Sequence, residues 1–233
     1  MDLAPFSPDD VILWQWGIIK LNYTIIYTWL VMLLLVFVAW MATRNLSTGP
    51  AISRWQSVME IIVITINRQI HDVTHQNPQR FLPLIGTLFL FIVTSNLLAV
   101  VPGFHPPTSS LSTTTALALC VLFAVPIYGI AGRGVWGYLK LYLEPTPLML
   151  PFNIVGEMSR TLALAVRLFG NMLSGAKIGA ILLAVAPIFF PVLAHLMGLL
   201  TGVIQAYIFA ILALVYIASA ARREPEQQVA EGE

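Results

Sequence analysis

The sequence predicts an all-α integral membrane protein with five transmembrane helices and one interfacial amphipathic helix, the last two spans being long and tilted as a hairpin. Three observations carry this prediction. Of the 233 residues, 58% are hydrophobic and 10% charged, against roughly 45–50% and 25% in soluble domains. The apolar residues gather into uncharged runs long enough to cross a bilayer. The cations gather in alternate connections, as the positive-inside rule expects of a multi-pass chain. A net charge of +1 argues against a nucleic-acid partner. The single cysteine, Cys120, excludes an internal disulfide and a multi-cysteine metal or cluster site.

Residues 1–22 form a lead whose Trp14 and Trp16 suit a membrane interface. Asp2, Asp9 and Asp10 stand where a signal peptide would have cations. Residues 23–41 are 19 residues without a charge, enough for span one, and the turn-forming residues 44–50 stop it. Residues 53–77 are interrupted by Arg54, Glu60, Arg68, His71, Asp72 and His75, and fit a helix lying at the interface. His71 and His75 have i, i+4 spacing, but without a third ligand nearby a solvated face is the simpler reading, and no metal is expected. Residues 81–101 give span two and carry Asn96, and residues 102–112 form a turn rich in Pro and Ser. Span three covers residues 113–131, with Pro126 as a candidate kink and Thr113, Thr114 and Thr115 as caps or helix contacts.

Residues 132–151 read as a loop containing Arg133, Lys140, Glu144, Trp136, Tyr138 and Tyr142. Two long stretches follow, residues 152–185 and residues 188–221, the second with 34 residues and no Asp, Glu, Lys or Arg. Both exceed the roughly 20 residues that a perpendicular span needs, so they should tilt or bend. Ala186-Pro187 and Pro191 mark the hairpin between them, and residues 224–233 form a polar tail expected to be disordered. Cations follow spans one, three and five, while the connections after spans two and four have none. This places the N-terminus outside and the C-terminus in the cytoplasm, with an odd number of spans.

The polar residues inside the apolar helices are the functional candidates. Arg160 and Arg167 lie seven residues apart, on one helix face. Arginine keeps its charge, and a charge at membrane depth costs from about 2.5 to more than 10 kcal/mol. Arg160 has a structural reading open to it, with Glu157 three residues before it as an ion-pair partner. Arg167 has no acid within two turns, so its counter-charge must come from elsewhere in the fold or from another chain. His195 is the only histidine in the long apolar helices, suited to proton relay or to a hydrogen bond between helices. Glu157 can also titrate. Lys177 either faces an ion path or snorkels away from it.

Leu164-Ala165-Val166-Arg167-Leu168-Phe169-Gly170-Asn171-Met172, followed on the next helix by Gln205-Ala206-Tyr207-Ile208-Phe209, resembles subunit a of F-type ATP synthases. Asn96-Leu97-Leu98, Val101-Pro102-Gly103 and Pro107-Thr108 extend the resemblance over most of the chain from about residue 80. It implies a non-catalytic stator subunit with two half-channels, which carry ions to and from the carboxylates of a c-ring rotor. The implied partners are that c-ring, the peripheral stalk b subunits, the other ATP synthase subunits and the bilayer, in a bacterial-type inner membrane. Arg167 matches the charge that separates the half-channels: it stabilises ionised rotor carboxylates and repels ions that would leak straight through. Asn171, Gln205 and Asn96 match half-channel amides, with Thr201 one turn before Gln205 extending the polar stripe. The two long helices would then curve around the rotor, with the other three spans behind them.

Ala163, Gly170, Ser174, Gly175 and Gly179, with Gly198 and Gly202, would let rotor helices approach. The chain departs from the family pattern at Ala176, where many members have an acid, at Gly198, where some have a histidine, and at Ser109, Ser110 and Ser112, where an aspartate often stands. The translocated ion, H⁺ or Na⁺, stays open. No nucleotide-binding loop is present, and no cofactor is expected. A secondary transporter would be expected to show an internal repeat, and a respiratory membrane anchor paired histidines; neither pattern is seen.

Overall fold

The computed structural model describes residues 12–16, 19–44, 54–101, 103–143, 148–185 and 190–221. Six helices dominate it: α1 (Tyr23–Thr43), α2 (Arg54–Thr74), α3 (Leu82–Leu98), α4 (Leu111–Leu143), α5 (Met149–Val185) and α6 (Phe190–Ala221). Ahead of them, β1 (Ile12–Trp16) and β2 (Ile19–Asn22) pair as an antiparallel ribbon, which the reading of residues 1–22 did not include. Ile19-Lys20-Leu21-Asn22 alternates apolar and polar residues with the period of a strand. The Ala186-Pro187 turn and the 224–233 tail lie outside the described residues.

The 21 residues of α1 extend about 31 Å, the thickness of a hydrocarbon core. It buries only Thr24 and Val31 and leaves Trp29, Leu33, Val36 and Phe37 exposed. That surface needs a bilayer or another chain as cover. One end is tied down: the Tyr27 hydroxyl donates to the Gly103 carbonyl at 3.1 Å, and its ring meets Phe104 edge-on.

In α2, apolar and polar residues separate onto opposite faces more cleanly than in the other five helices, as an interfacial helix requires. Ile70 and Thr74 are buried, and Gln69 Oε1 accepts from the Tyr207 hydroxyl of α6 at 2.9 Å. The helix stops at His75, whose φ of 53° is left-handed and whose N–H still reaches the His71 carbonyl. His75 thus directly follows the last helical residue, Thr74.

A 3₁₀ turn, Pro78–Arg80, leads into α3. Beyond Leu98, three i→i+3 bonds carry the chain on to Val101. At its start α3 is latched to α4: Arg80 Nη2 donates to the Tyr128 carbonyl at 3.1 Å, the Tyr128 hydroxyl returns a bond to the Arg80 carbonyl at 3.2 Å, and Phe81 stacks on the Tyr128 ring.

The expected loop over residues 132–151 is corrected by α4, which continues to Leu143. Its break is at Gly134, with φ 79° and ψ 166°, and not at Pro126, which sits inside the helix. Only glycine adopts that backbone cheaply. The bend returns the tail of α4 on itself, so that Tyr138 lies against Gly129, where a side chain would collide with its ring. Gly132 brings α4 against the end of α6 in the same way: a Cβ there would stand 2.7 Å from the Ala221 carbonyl oxygen.

The core lies among α3, α4, α5 and α6, with Ile92, Val121, Leu164, Leu168, Phe209 and Leu214 fully or almost fully buried. By length and apolarity, Tyr23–Thr43, Leu111–Lys140 and His195–Ala221 suffice to cross a bilayer, and Leu82–Leu98 is a shorter apolar helix. The 37 residues of α5 extend about 55 Å but include Glu157, Arg160, Arg167 and Lys177. The contacts sort the molecule into two ends. Tyr27, Phe104, Asn96 and Thr108 gather at one, and Arg80, Tyr128, Tyr142, Glu157 and Tyr216 at the other.

Candidate functional site

The RLFGN segment lies in the middle of α5, with one face in the core and the other open. Leu164, Ala165 and Leu168 are buried, while Ala163, Arg167 and Ser174 are exposed. Ala163, Arg167, Gly170 and Ser174 recur at spacings of four, three and four, which keeps them on one side of the helix. A Cβ at Gly170, Gly175 or Gly198 would meet nothing within 4 Å, so these glycines face open space. Gly202, expected on the same outer surface, instead packs on Asn96, 3.1 Å from where its Cβ would be. The Arg167 guanidinium makes no hydrogen bond or ion pair among the described residues. A permanent cation thus stands on an exposed, largely apolar face without a counter-charge among the described residues.

Beside it, Asn171 Nδ2 reaches the Thr201 carbonyl of α6 at 3.4 Å. The Thr201 hydroxyl turns back to the Met197 and Gly198 carbonyls of its own helix. Gln205, one turn on, is 6% exposed, and its Nε2 has no hydrogen-bond partner among the described residues. So Asn171 and Thr201 are brought together, and Gln205 offers a buried donor close by in sequence. His195 is exposed on α6. Lys177 lies within α5, but its side chain is outside the described residues.

Asn96 is placed differently from a water-lining amide. It is 3% exposed, its Nδ2 donates to the Gly202 carbonyl at 2.9 Å, and its Oδ1 accepts from the Thr108 hydroxyl at 2.7 Å. Of the two readings open for this residue, the interhelical hydrogen bond is the one seen.

A second polar cluster lies about 15 Å along α5 from Arg167, ten residues at 1.5 Å each. Tyr142, Asn153, Glu157, Arg160, Tyr216 and Ser219 line a cavity of about 440 Å³. The expected Glu157–Arg160 ion pair is not found among the described residues. The Arg160 guanidinium instead lies 5.7 Å from the centre of the Tyr216 ring on α6, where the face of the aromatic ring attracts a cation. Glu157 Oε2 accepts from the Tyr142 hydroxyl, and Glu157 Oε1 is buried with no partner among the described residues. Tyr142 and Tyr138 share a hydrogen bond of 2.9 Å in which either oxygen could be the donor. Burial, and then donation to Glu157, push the Tyr142 phenol above its ordinary range. Both tyrosines fell in the expected loop, and no local spacing could have linked Tyr142 to a carboxylate 15 residues away.

A family model described as "ATP synthase A chain" matches residues 25–218, most of the sequence. The chain belongs to the ATP synthase A chain family. Its relatives in that family are similar over nearly their whole length. ATP synthase subunit a 1 of Chlorobaculum parvum is 64% identical over 216 residues, 93% of this chain and 96% of the relative. ATP synthase subunit a 2 of Acaryochloris marina is 61% identical, over 93% of this chain and 92% of its own. ATP synthase subunit a of Albidiferax ferrireducens is 56% identical over 97% and 98%. As an ATP synthase A chain, the protein is an integral membrane channel subunit of the F-type synthase stator, and catalysis of ATP chemistry is not its part. Membership sets aside the transporter and redox-anchor alternatives.

Proposed function

We propose that this chain provides two half-channels through which ions, most simply protons, reach and leave the carboxylates of a c-ring, with Arg167 as the charge that separates them. The observation that carries this reading is the Arg167 guanidinium, exposed and unpaired among the described residues, beside Ala163, Gly170 and Ser174. An isolated fixed cation is costly in lipid unless an anion visits it. A rotor carboxylate passing that face would supply the anion, and Arg167 would depress its pKa and drive its proton off. The driving force is about 2.3 kcal/mol per charge per 100 mV.

In this reading α5 and α6 cross the bilayer as a tilted hairpin against the rotor, and α1, α3 and α4 supply the other three spans, with α2 at the interface. The 37 residues of α5 require tilt, since a hydrocarbon core is about 30 Å thick. The end that gathers Arg80 and Arg160 faces the cytoplasm of a bacterial-type inner membrane by the positive-inside rule. The cavity around Glu157 then opens the cytoplasmic half-channel. Asn171 and Gln205, with Thr201 and His195, line the route from the other side, and Lys177 stands beside it. Asn96 supports that route as a clamp on Gly202. The peripheral stalk b subunits and the other synthase subunits complete the complex.

The test is ATP-driven pumping and passive conduction in vesicles holding the whole complex with Arg167→Ala, measured separately with H⁺ and Na⁺. Coupled pumping should vanish, with a passive leak, and the ion whose transport is lost names the substrate. Unchanged pumping would overturn the reading.

A further inference from the structure

Tyr142 and Glu157 line the cavity at the start of α5, and with Tyr138 they form a continuous hydrogen-bonded chain. The Tyr138 and Tyr142 oxygens are 2.9 Å apart, and Tyr142 donates to Glu157 Oε2. The carboxylate's other oxygen is buried without a partner among the described residues, while Glu157 lines the cavity. The geometry is held by the backbone. Gly134 turns the tail of α4 back, and Gly129 leaves the space that the Tyr138 ring fills.

We propose that Tyr138, Tyr142 and Glu157 form a proton relay that connects the outer tail of α4 to the cavity. This rests on the half-channel reading and names the residues of its cytoplasmic limb. In one passage, a hydronium at Tyr138 gives its proton to that phenol oxygen, and the Tyr138 O–H proton passes to the Tyr142 oxygen. The Tyr142 O–H proton passes to Glu157 Oε2. One proton enters, one carboxylate becomes a carboxylic acid, and both phenols end neutral with their hydrogen bonds reversed. The undirected Tyr138–Tyr142 bond permits both polarities. Glu157 then releases the proton from its unpartnered side into the cavity. Among the described residues, the other charged or titratable groups lining that cavity are Arg160 of the same helix and Tyr216 of α6, which face each other. Arg160 keeps its charge throughout.

The test uses the whole complex in vesicles, with Tyr142→Phe, Tyr138→Phe/Tyr142→Phe and Glu157→Gln, and Arg167→Ala alongside. Phenylalanine keeps the rings and their packing, and assembled complex is quantified for each variant. Proton pumping is followed from pH 6 to 9, in H₂O and D₂O. A relay matters most when free protons are scarce. The phenylalanine variants should therefore pump near the parent rate at pH 6 and at least about tenfold more slowly at pH 9, with a changed solvent isotope effect. Glu157→Gln should be slow throughout. A parental pH profile in Tyr142→Phe overturns the relay, and an equal loss at every pH overturns it too by marking the phenol as a positioning group. In either case, loss of pumping by Arg167→Ala leaves the stator reading standing. Normal pumping by Arg167→Ala overturns that reading and the relay with it.

Discussion

The carboxamide of Asn96 on α3 holds the backbone of Gly202 on α6, with its nitrogen 2.9 Å from the glycine carbonyl oxygen, and its own oxygen receives the Thr108 hydroxyl. Both polar ends of a buried side chain are thereby used to fix one helix against another. Interhelical hydrogen bonds in membranes average about 0.6 kcal/mol, but Asn96→Ala removes two hydrogen bonds and strands the buried Thr108 hydroxyl. Its cost should be about 1–3 kcal/mol, read as a lower midpoint of thermal unfolding in detergent.

Three glycines should rank in order of what their missing side chains would strike. Gly132→Ala puts a methyl group 2.7 Å from the Ala221 carbonyl oxygen, a backbone atom that cannot step aside, and should be the most destabilising. Gly202→Ala meets the Asn96 side chain at 3.1 Å and should cost less, mainly through the lost hydrogen bond. Gly170→Ala meets nothing and should leave the midpoint unchanged. Thermal unfolding of the three variants checks the order.

Gly170 gives a further contrast under the half-channel reading. Gly170→Leu should fold and assemble, yet slow ATP-driven pumping by about tenfold or more, because it would hold a rotor helix away from Arg167. Assembly and pumping measured on the same preparation separate the two effects.

Arg160 should be energetically coupled to Tyr216 and not to Glu157. In double-mutant cycles of unfolding, Arg160→Ala with Tyr216→Leu should give about 0.5–1 kcal/mol of coupling. Arg160→Ala with Glu157→Gln should give close to none. Coupling of similar size in both cycles would show that the guanidinium also pairs with the carboxylate.

Alkaline pH should expose the phenol of Tyr142. Its folded pKa is raised by burial and by the bond to Glu157. Its contribution to stability is therefore fully present below the unfolded value of about 10 and is lost as pH rises above that value. Unfolding of the parent should grow steeper with pH above about 10, and Tyr142→Phe should flatten that dependence.

Much of the helical plan was legible because long apolar runs leave the chain few alternatives in a bilayer. The starts and ends of α1, α5 and α6 fall within a few residues of the expected spans. The tail of α4 was not legible, since Arg133, Gly134, Gly137 and Lys140 break the apolar run as a loop would. What decides its course is the left-handed Gly134 together with the space at Gly129, and both are tertiary facts. At the site, the lack of a nearby counter-charge for Arg167 followed from its surroundings in sequence. The partners of Asn96, Arg160 and Glu157 did not. Each is drawn to a group more distant in sequence, Gly202, Tyr216 and Tyr142, whose position depends on the folded bundle.

The bareness of α1 bears on how the molecule is built during synthesis. With only Thr24 and Val31 buried and a length that matches the bilayer, its preference for lipid over water owes almost nothing to the other helices. It can leave the translocon and settle before any of them exists, in the first stage of a two-stage assembly. The reverse holds for α5, whose charged groups need their neighbours. Under the half-channel reading, the helix that carries Arg167 is thus the one that must wait for α4 and α6, and a chain stalled before residue 190 would hold Arg167 in the membrane without the helix that supplies Thr201 and Gln205.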